Sequence, residues 1–153
     1  MTDPYLADVV LGMHFDGANG STAFTDDATG KTITVYGGAQ ISTSQSAFGG
    51  ASGYFNGTDA YLSVPHSADL DLASGNFTIE AWIYLFSYPI ECATIISKDG
   101  LFNVAVPSYY LDIYPAKHLR GIIGNSAGLS DQIFEGGDIV SLNTWHQIGK
   151  SVV

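Results

Sequence analysis

Residues 49–65 of the chain read GGASGYFNGTDAYLSVP, and this stretch has the pattern of two strands joined by a turn. The Asn56-Gly57 pair predicts a tight hairpin because both residues tolerate positive φ. After the turn, residues 61–64 alternate in polarity with a period of two. Pro65 then ends the run because it has no N–H to donate to a neighbouring strand. The stretch therefore predicts antiparallel β-structure.

The longest strand is predicted for residues 77–86, within the phrase NFTIEAWIYLF. Its residues alternate between two faces, and both faces carry apolar side chains, so a central strand with Trp82 in the core is expected. Apolar residues nowhere recur with the helical period of 3.6 over ten residues, so no sizeable helix is expected. Further short strands are predicted at residues 9–15, 31–36, 40–42, 94–98, 101–106, 109–114, 119–124, 133–134, 139–140 and 145–148.

Length and composition favour a single domain of about eleven short strands covering residues 4–153. The chain has 153 residues, of which 46% are hydrophobic, and it contains 18 glycines. Such a chain is long enough to bury a sizeable core, and its glycine content suits a turn-rich β protein. The fold class predicted from these patterns is all-β.

The charge balance excludes several classes of partner. Lysine and arginine number 5 against 15 aspartates and glutamates, a formal net charge of −10. Phosphate backbones and anionic membrane surfaces repel such a chain, so nucleic-acid binding is not expected. No apolar run approaches the roughly twenty residues needed to span a bilayer, so membrane insertion is not expected either. The N-terminal residues 1–4 contain an acid and no base, unlike a signal peptide. With Cys92 as the one cysteine, an intrachain disulfide is impossible, and a small buried thiol is expected.

Four phrases in order resemble a known family. FGGASGYFNGTDAYLSVP and GNFTIEAWIY are preceded by LGMHFDG at residues 11–17 and followed by LNTWH at residues 142–146. Together they resemble the concanavalin A-like (laminin G-like) jelly-roll domain, in the version found in bacteriophage tail and virion proteins. The resemblance implies an antiparallel two-sheet jelly-roll sandwich. It implies little about activity, because this fold hosts lectins, glycosidases and inert spacers.

The resemblance also raises a question about the C-terminal end. In the family, two or three further strands follow the Asn-Thr-Trp-His phrase, whereas this sequence stops at Val153. A sandwich without those strands would expose an apolar face and open strand edges. Either the sequence is part of a longer product, which we favour, or strands of a partner chain complete the sheet.

Glycoside hydrolysis is the enzymatic alternative that the resemblance suggests. It requires a pair of carboxylates, which glycosidases of this fold carry as a Glu-x-Asp-x-(x)-Glu strand. The only glutamates here are Glu80, Glu91 and Glu135, and none lies in that pattern. No Gly-x-Ser-x-Gly nucleophile motif is present either. We therefore expect no catalytic residues, and a polysaccharide-degrading enzyme remains the less favoured reading.

A structural calcium ion is the cofactor to consider. Calcium binds six to eight oxygens, many of them from acidic loops. Asp16 and Asn19 lie in one glycine-rich loop and Asp59 in another, and laminin G-like domains often hold such an ion. These three residues are the predicted metal ligands. The alternative is that the aspartates only form hydrogen bonds within their own turns.

Ligand contact is predicted for exposed tyrosines. Tyr88, Tyr109 and Tyr110 lie near turns, and residues 87–92 and 124–138 are expected to be displayed loops. Aromatic faces with polar neighbours suit a glycan, although tyrosine is also an ordinary strand residue. The predicted function is a non-catalytic adhesin or assembly module on a virion surface or tail. It would contact a glycan or a neighbouring subunit and could form a homo-oligomer, and the alternative is a spacer without a ligand.

Overall fold

A computed structural model of the protein describes residues 6–72, 76–98, 108–114, 118–124 and 130–152. Almost all of its regular structure is β, apart from two 3₁₀ turns at Leu6–Asp8 and Ala68–Leu70. The strands are β1 (Thr34–Tyr36), β2 (Gln40–Ser42), β3 (Ser52–Tyr54), β4 (Tyr61–Ser63), β5 (Phe77–Tyr84), β6 (Ala93–Lys98), β7 (Ser108–Ile113), β8 (His118–Gly124), β9 (Ser130–Ile139) and β10 (Trp145–Val152).

The chain divides into two compact units, Met1–Leu70 and Asp71–Val153. The first unit contains two antiparallel pairs, β1 with β4 and β2 with β3. The hairpin predicted at Asn56-Gly57 is therefore wrong, since the strands on either side of that turn pair with other strands. The connection is a loop whose first residues are held by the Asn56 side chain. Its Oδ1 accepts hydrogen bonds from the backbone N–H groups of Thr58, Asp59 and Ala60.

The strand predicted at residues 9–15 is also wrong. This segment has no regular ladder in the structure, and acidic side chains of the turn at Asp26 satisfy part of its backbone instead. The Gly12 N–H donates to Asp26 Oδ1 over 2.9 Å, and the His14 N–H donates to Asp27 Oδ2 over 3.1 Å. A carboxylate can replace a strand partner in this way because it is a strong acceptor for backbone N–H groups. The buried apolar residues of the unit are Ala39, Ile41, Ala51 and Leu70.

The second unit contains a two-stranded and a four-stranded antiparallel sheet. In the first sheet β5 pairs with β10 in an unbroken register from Phe77 opposite Val152 to Tyr84 opposite Trp145. The other sheet has the order β6-β7-β8-β9. Among the residues of the unit whose burial the structure describes, strand β7 supplies most of the buried apolar ones. These buried residues are Tyr109, Leu111, Ile113, Val140 and Ile148.

The all-β, antiparallel fold class predicted from the sequence is confirmed. The boundaries of the predicted strands hold to within a few residues for β2, β4, β5, β6, β7 and β8. Residues 130–139 form one strand, β9, so the displayed loop predicted for residues 124–138 is wrong over most of its length. The strand predicted at residues 101–106 lies outside the described residues. The single domain over residues 4–153 stays a prediction. No helix among the described residues has the length and apolar character needed to cross a membrane.

Candidate functional site

The exposed face of the β5–β10 sheet carries four neighbouring aromatic residues. Trp82 and Tyr84 lie on the same face of β5, and Trp145 lies opposite Tyr84 on β10. The Tyr84 ring lies 5.2 Å from that of Phe86 and 5.5 Å from that of Trp145, centroid to centroid. Tilted ring pairs at this spacing stabilise one another beyond simple burial. We refer to Trp82, Tyr84, Phe86 and Trp145 as the aromatic strip.

The aromatic strip is open to solvent at its two ends. Trp82 is 43% exposed and Phe86 is 57% exposed, whereas Tyr84 and Trp145 are half-buried between them. The expectation that Trp82 lies in the core is therefore wrong. The sequence contained a signal for this outcome, because Trp82 shares its strand face with Thr78 and Glu80. The opposite face, with Phe77, Ile79, Ala81 and Ile83, is the more buried one.

Polar groups continue the same face beyond Trp82. Gln147 lies directly opposite Trp82, and Gly149 lies opposite Glu80. Both Gln147 and Glu80 are exposed. At the end of the face the hydroxyls of Thr78 and Ser151 are 2.8 Å apart and share a hydrogen bond. The face thus changes from aromatic to polar along about 20 Å, the span of six strand residues.

The segment after β5 extends the apolar surface. Its backbone is anchored at Leu85, whose carbonyl accepts a hydrogen bond of 2.9 Å from the N–H of Asn143. Ile90 is 96% exposed, which is unusual for an aliphatic side chain of this size. Tyr88, one of the predicted ligand residues, is half-buried in the same segment. Within residues 87–92, which were predicted to be a displayed loop, Ile90 and not Tyr88 is therefore the exposed large side chain.

The other two predicted ligand tyrosines lie on β7. Tyr109 is 7% exposed, so its expected exposure is wrong. The residue lies inside the four-stranded sheet, opposite Lys98 on β6 and Ile123 on β8. Tyr109 is therefore buried, although its place near a turn in the sequence predicted an exposed side chain. As a ligand contact Tyr109 has no accessible face.

Tyr110 belongs to a charged cluster centred on Arg120. The guanidinium of Arg120 donates to both carboxylate oxygens of Asp112, over 3.1 Å from Nε and 2.6 Å from Nη2. The Asp112 side chain is fully buried, and the pair sits directly across β7 and β8. Arg120 Cζ lies 4.6 Å from the ring centre of Tyr114 and 5.6 Å from that of Tyr110. These distances are typical of cation–π contacts.

The surroundings of this cluster raise the pKa of Arg120 and the pKa of Tyr110. The hydrogen bonds to Asp112 raise the pKa of Arg120 above its ordinary value, so the guanidinium stays charged. Burial raises the pKa of the Tyr110 phenol, with a smaller opposing effect of Arg120. A second Arg120 contact joins Nη2 to the exposed Cys92 thiol over 3.2 Å, so the expected burial of Cys92 is wrong. The cluster orders one face of the sheet, and sequence patterns did not indicate it.

The structure gives each predicted calcium ligand a different set of contacts. Asn19 Oδ1 accepts a hydrogen bond of 3.1 Å from the N–H of Thr43, and Asp59 Oδ1 accepts one of 2.7 Å from Asn56 Nδ2. Asp16 faces Gly49, where an added Cβ would lie 2.5 Å from Asp16 Oδ1. The described ranges contain no group of three or more His, Cys, Asp or Glu side chains able to hold a metal ion. These contacts agree with aspartates and asparagines that stabilise loops, and the calcium site stays a prediction.

Comparison with known proteins adds one finding. The family model described as the concanavalin A-like lectin/glucanases superfamily matches residues 56–149, which is more than half of the chain. The matched range includes the aromatic strip and the Arg120 cluster. No curated protein and no solved structure matches the chain.

Proposed function

Since the chain belongs to the concanavalin A-like lectin/glucanases superfamily, we propose that it is a non-catalytic module that binds a glycan through the aromatic strip. Membership of this superfamily is compatible with a carbohydrate- or protein-binding module. It does not by itself select a ligand, because one fold serves many functions. The choice of a glycan rests on the chemistry of the exposed face.

The observation that carries the proposal is the exposure of Trp82 beside polar side chains. Sugar rings present apolar C–H patches and hydroxyl groups together, so a binding face needs an aromatic surface next to planar hydrogen-bonding groups. Trp82 supplies the aromatic surface, and Gln147 and Glu80, on the same face, supply the planar hydrogen-bonding groups. The length of the face suits an extended oligosaccharide lying along the strands.

The biological setting that we propose follows from the resemblance to bacteriophage tail and virion domains. A rigid β module on a virion surface or tail would hold the aromatic strip toward a host polysaccharide. Preorganised aromatic side chains lose little conformational entropy on binding, which favours recognition on such a scaffold.

A glycan array of bacterial surface polysaccharides tests the proposal. The full chain should bind at least one neutral polysaccharide, and Trp82→Ala should weaken that binding about tenfold. Tyr54→Ala is the matched control, because it removes an exposed aromatic ring on β3, outside the aromatic strip. Equal binding by wild type and Trp82→Ala, or no binding on the array, would contradict the proposal. Reducing-sugar release by the wild type would instead support the enzymatic alternative.

Ile90 favours a second candidate function, contact with a neighbouring protein subunit. An aliphatic side chain that is 96% exposed, four residues after the exposed Phe86 in sequence, is more suited to a protein surface than to a sugar. Sedimentation of the full chain and of Ile90→Ser distinguishes the two functions. Self-association that is lost in Ile90→Ser, with glycan binding unchanged, would assign residues 87–92 to an interface between copies.

A further inference from the structure

A second exposed aromatic surface lies in the first unit, on the sheet formed by β1 and β4. Tyr36 ends β1, Tyr61 begins β4, and the two residues are direct cross-strand partners. Their rings stack with centroids 4.5 Å apart and an angle of 9° between the planes. Tyr36 is 43% exposed and Tyr61 is 53% exposed. We refer to these two residues as the tyrosine pair.

The rest of this strand face is polar. The next cross-strand pair on the same side is Thr34 with Ser63, so two hydroxyl groups follow the tyrosine pair along the sheet. Val35 and Leu62 project from the opposite, more covered face. The outer face therefore combines two exposed, stacked aromatic rings with the exposed hydroxyl of Thr34 and the half-buried hydroxyl of Ser63.

The backbone on either side of the tyrosine pair is held in place. Gly37, directly after Tyr36, has a φ of 61°, and a Cβ added there would collide with the backbone carbonyl of Asp59. Asn56 Nδ2 donates to the Gly37 carbonyl over 3.1 Å and to Asp59 Oδ1 over 2.7 Å. The same side chain accepts hydrogen bonds from the N–H groups of residues 58–60, which lead into Tyr61. Both tyrosines thus extend from an ordered backbone, which lowers the entropy cost of binding a ligand.

We propose that the tyrosine pair is a subsite for a neutral saccharide, separate from the aromatic strip; this inference rests on the proposed glycan-binding function. The tyrosine rings stack on each other, so the outer face of a ring is what matches the apolar C–H face of a pyranose. The hydroxyls of Thr34 and Ser63 match the polar edge of the sugar. An acidic saccharide is disfavoured by the exposed Asp59 near the pair and by the net charge of −10.

A protein partner fits this surface less well. Stable protein interfaces bury roughly 800 Å² on each partner and are built around an apolar centre. Here the aromatic surface consists of two rings and is followed at once by hydroxyl groups. A sugar ring matches that size and that change in polarity.

Affinity electrophoresis of the full chain in gels containing a soluble polysaccharide tests the inference. The neutral probes are a glucan, a mannan and a galactan, and the acidic probes are alginate and hyaluronan. Tyr36→Ala and Tyr61→Ala remove one ring each, Tyr36→Phe keeps the ring, and Tyr61→Leu keeps apolar volume without an aromatic face. Tyr54→Ala is the matched control, because Tyr54 is a 38% exposed tyrosine on β3, outside the pair. Circular dichroism checks the folding of each variant.

We expect at least one neutral probe to retard the wild-type chain. Its affinity should be weakened about tenfold in Tyr36→Ala, Tyr61→Ala and Tyr61→Leu. Tyr36→Phe and Tyr54→Ala should bind like the wild type. Neutral binding that is unchanged in the tyrosine variants but lost in Trp82→Ala overturns this inference and leaves the proposed function standing. Retardation by acidic probes only, or by none, also overturns it. Self-association that is lost in Tyr61→Leu, without saccharide binding, would identify a second copy of the chain as the occupant and overturn it too.

Discussion

At the scale of single residues, Asp26 organises more of the first unit than any sequence pattern indicates. It is 6% exposed. Its Oδ1 accepts from the N–H groups of Gly12 and Ala28, and its Oδ2 accepts from the Lys31 N–H and from both the N–H and the hydroxyl of Thr29. Burial by itself would raise the pKa of Asp26, but these hydrogen bonds outweigh it and hold the pKa well below its usual value. Local sequence patterns do not indicate this role, because the Gly12 partner lies fourteen residues upstream.

Replacing Asp26 by asparagine should destabilise the protein by about 2–3 kcal/mol, because an amide nitrogen would face N–H donors where Oδ2 now accepts. Urea unfolding measures the change, with Asp8→Asn, an exposed aspartate of the same unit, as the control for the loss of one charge. A similar loss of stability in both variants would show that charge, not the hydrogen bonds, is responsible.

The pH dependence of the unfolding free energies of wild type and Asp26→Asn follows from the lowered pKa of Asp26. A carboxylate whose pKa is lower in the folded protein than in the unfolded chain contributes its full stabilisation above the pKa of the unfolded chain, about 4. This contribution is lost as the pH falls toward the pKa in the folded protein. The difference in unfolding free energy between wild type and Asp26→Asn should therefore be constant from about pH 5 to 7 and shrink below about pH 4. A difference that grows on acidification would contradict the assignment.

At the scale of elements, strand pairing in the first unit differs from the expected hairpin. Asn56-Gly57 tolerates positive φ, and Gly57 indeed has a φ of 73°. The Asn56 side chain, however, bonds three following N–H groups and so forms a longer loop that passes from the β2–β3 pair to the β1–β4 pair. A local turn signal cannot show which strand a neighbour will pair with.

The close approach of this loop to Gly37 gives a prediction at the same scale. Gly37→Ala should destabilise the protein by roughly 2 kcal/mol or more, because it combines a left-handed φ with a collision against the Asp59 backbone. Gly38→Ala is a matched control, since Gly38 has a φ of 78° and nothing lies within 4 Å of an added Cβ. Denaturant unfolding should show a distinctly smaller loss for Gly38→Ala, and equal losses would mean that the collision contributes nothing.

At the scale of the whole molecule, acidic groups greatly outnumber the basic ones that neutralise them. Lys31 pairs with Asp69 and Lys98 pairs with Asp71, each over 2.7 Å, and Arg120 pairs with Asp112. The remaining excess of carboxylates gives the net charge of −10. Mutual repulsion at this charge opposes the compact state and also opposes contact with anionic polymers.

Salt should therefore stabilise the protein at neutral pH. The melting temperature is expected to rise between about 10 mM and 300 mM NaCl at pH 7, because the ions screen repulsion over distances beyond about 10 Å. Near the isoelectric point of about 4.3 the effect should vanish. A fall in melting temperature with salt at pH 7 would show that the ion pairs outweigh the repulsion.

The sequence by itself determined most of the strands and their alternating faces, because both depend on patterns within a few consecutive residues. It also indicated the family, through four phrases spread along the chain. Tyr36 shares its strand face with Thr34, and Trp82 shares its strand face with Glu80, but the prediction of a core Trp82 did not use this signal. Only the tertiary structure decided which strands pair, that Tyr109 is covered, and that Asp26 is buried among backbone donors. These outcomes depend on contacts between residues far apart in the chain, and periodicity carries no information about such contacts.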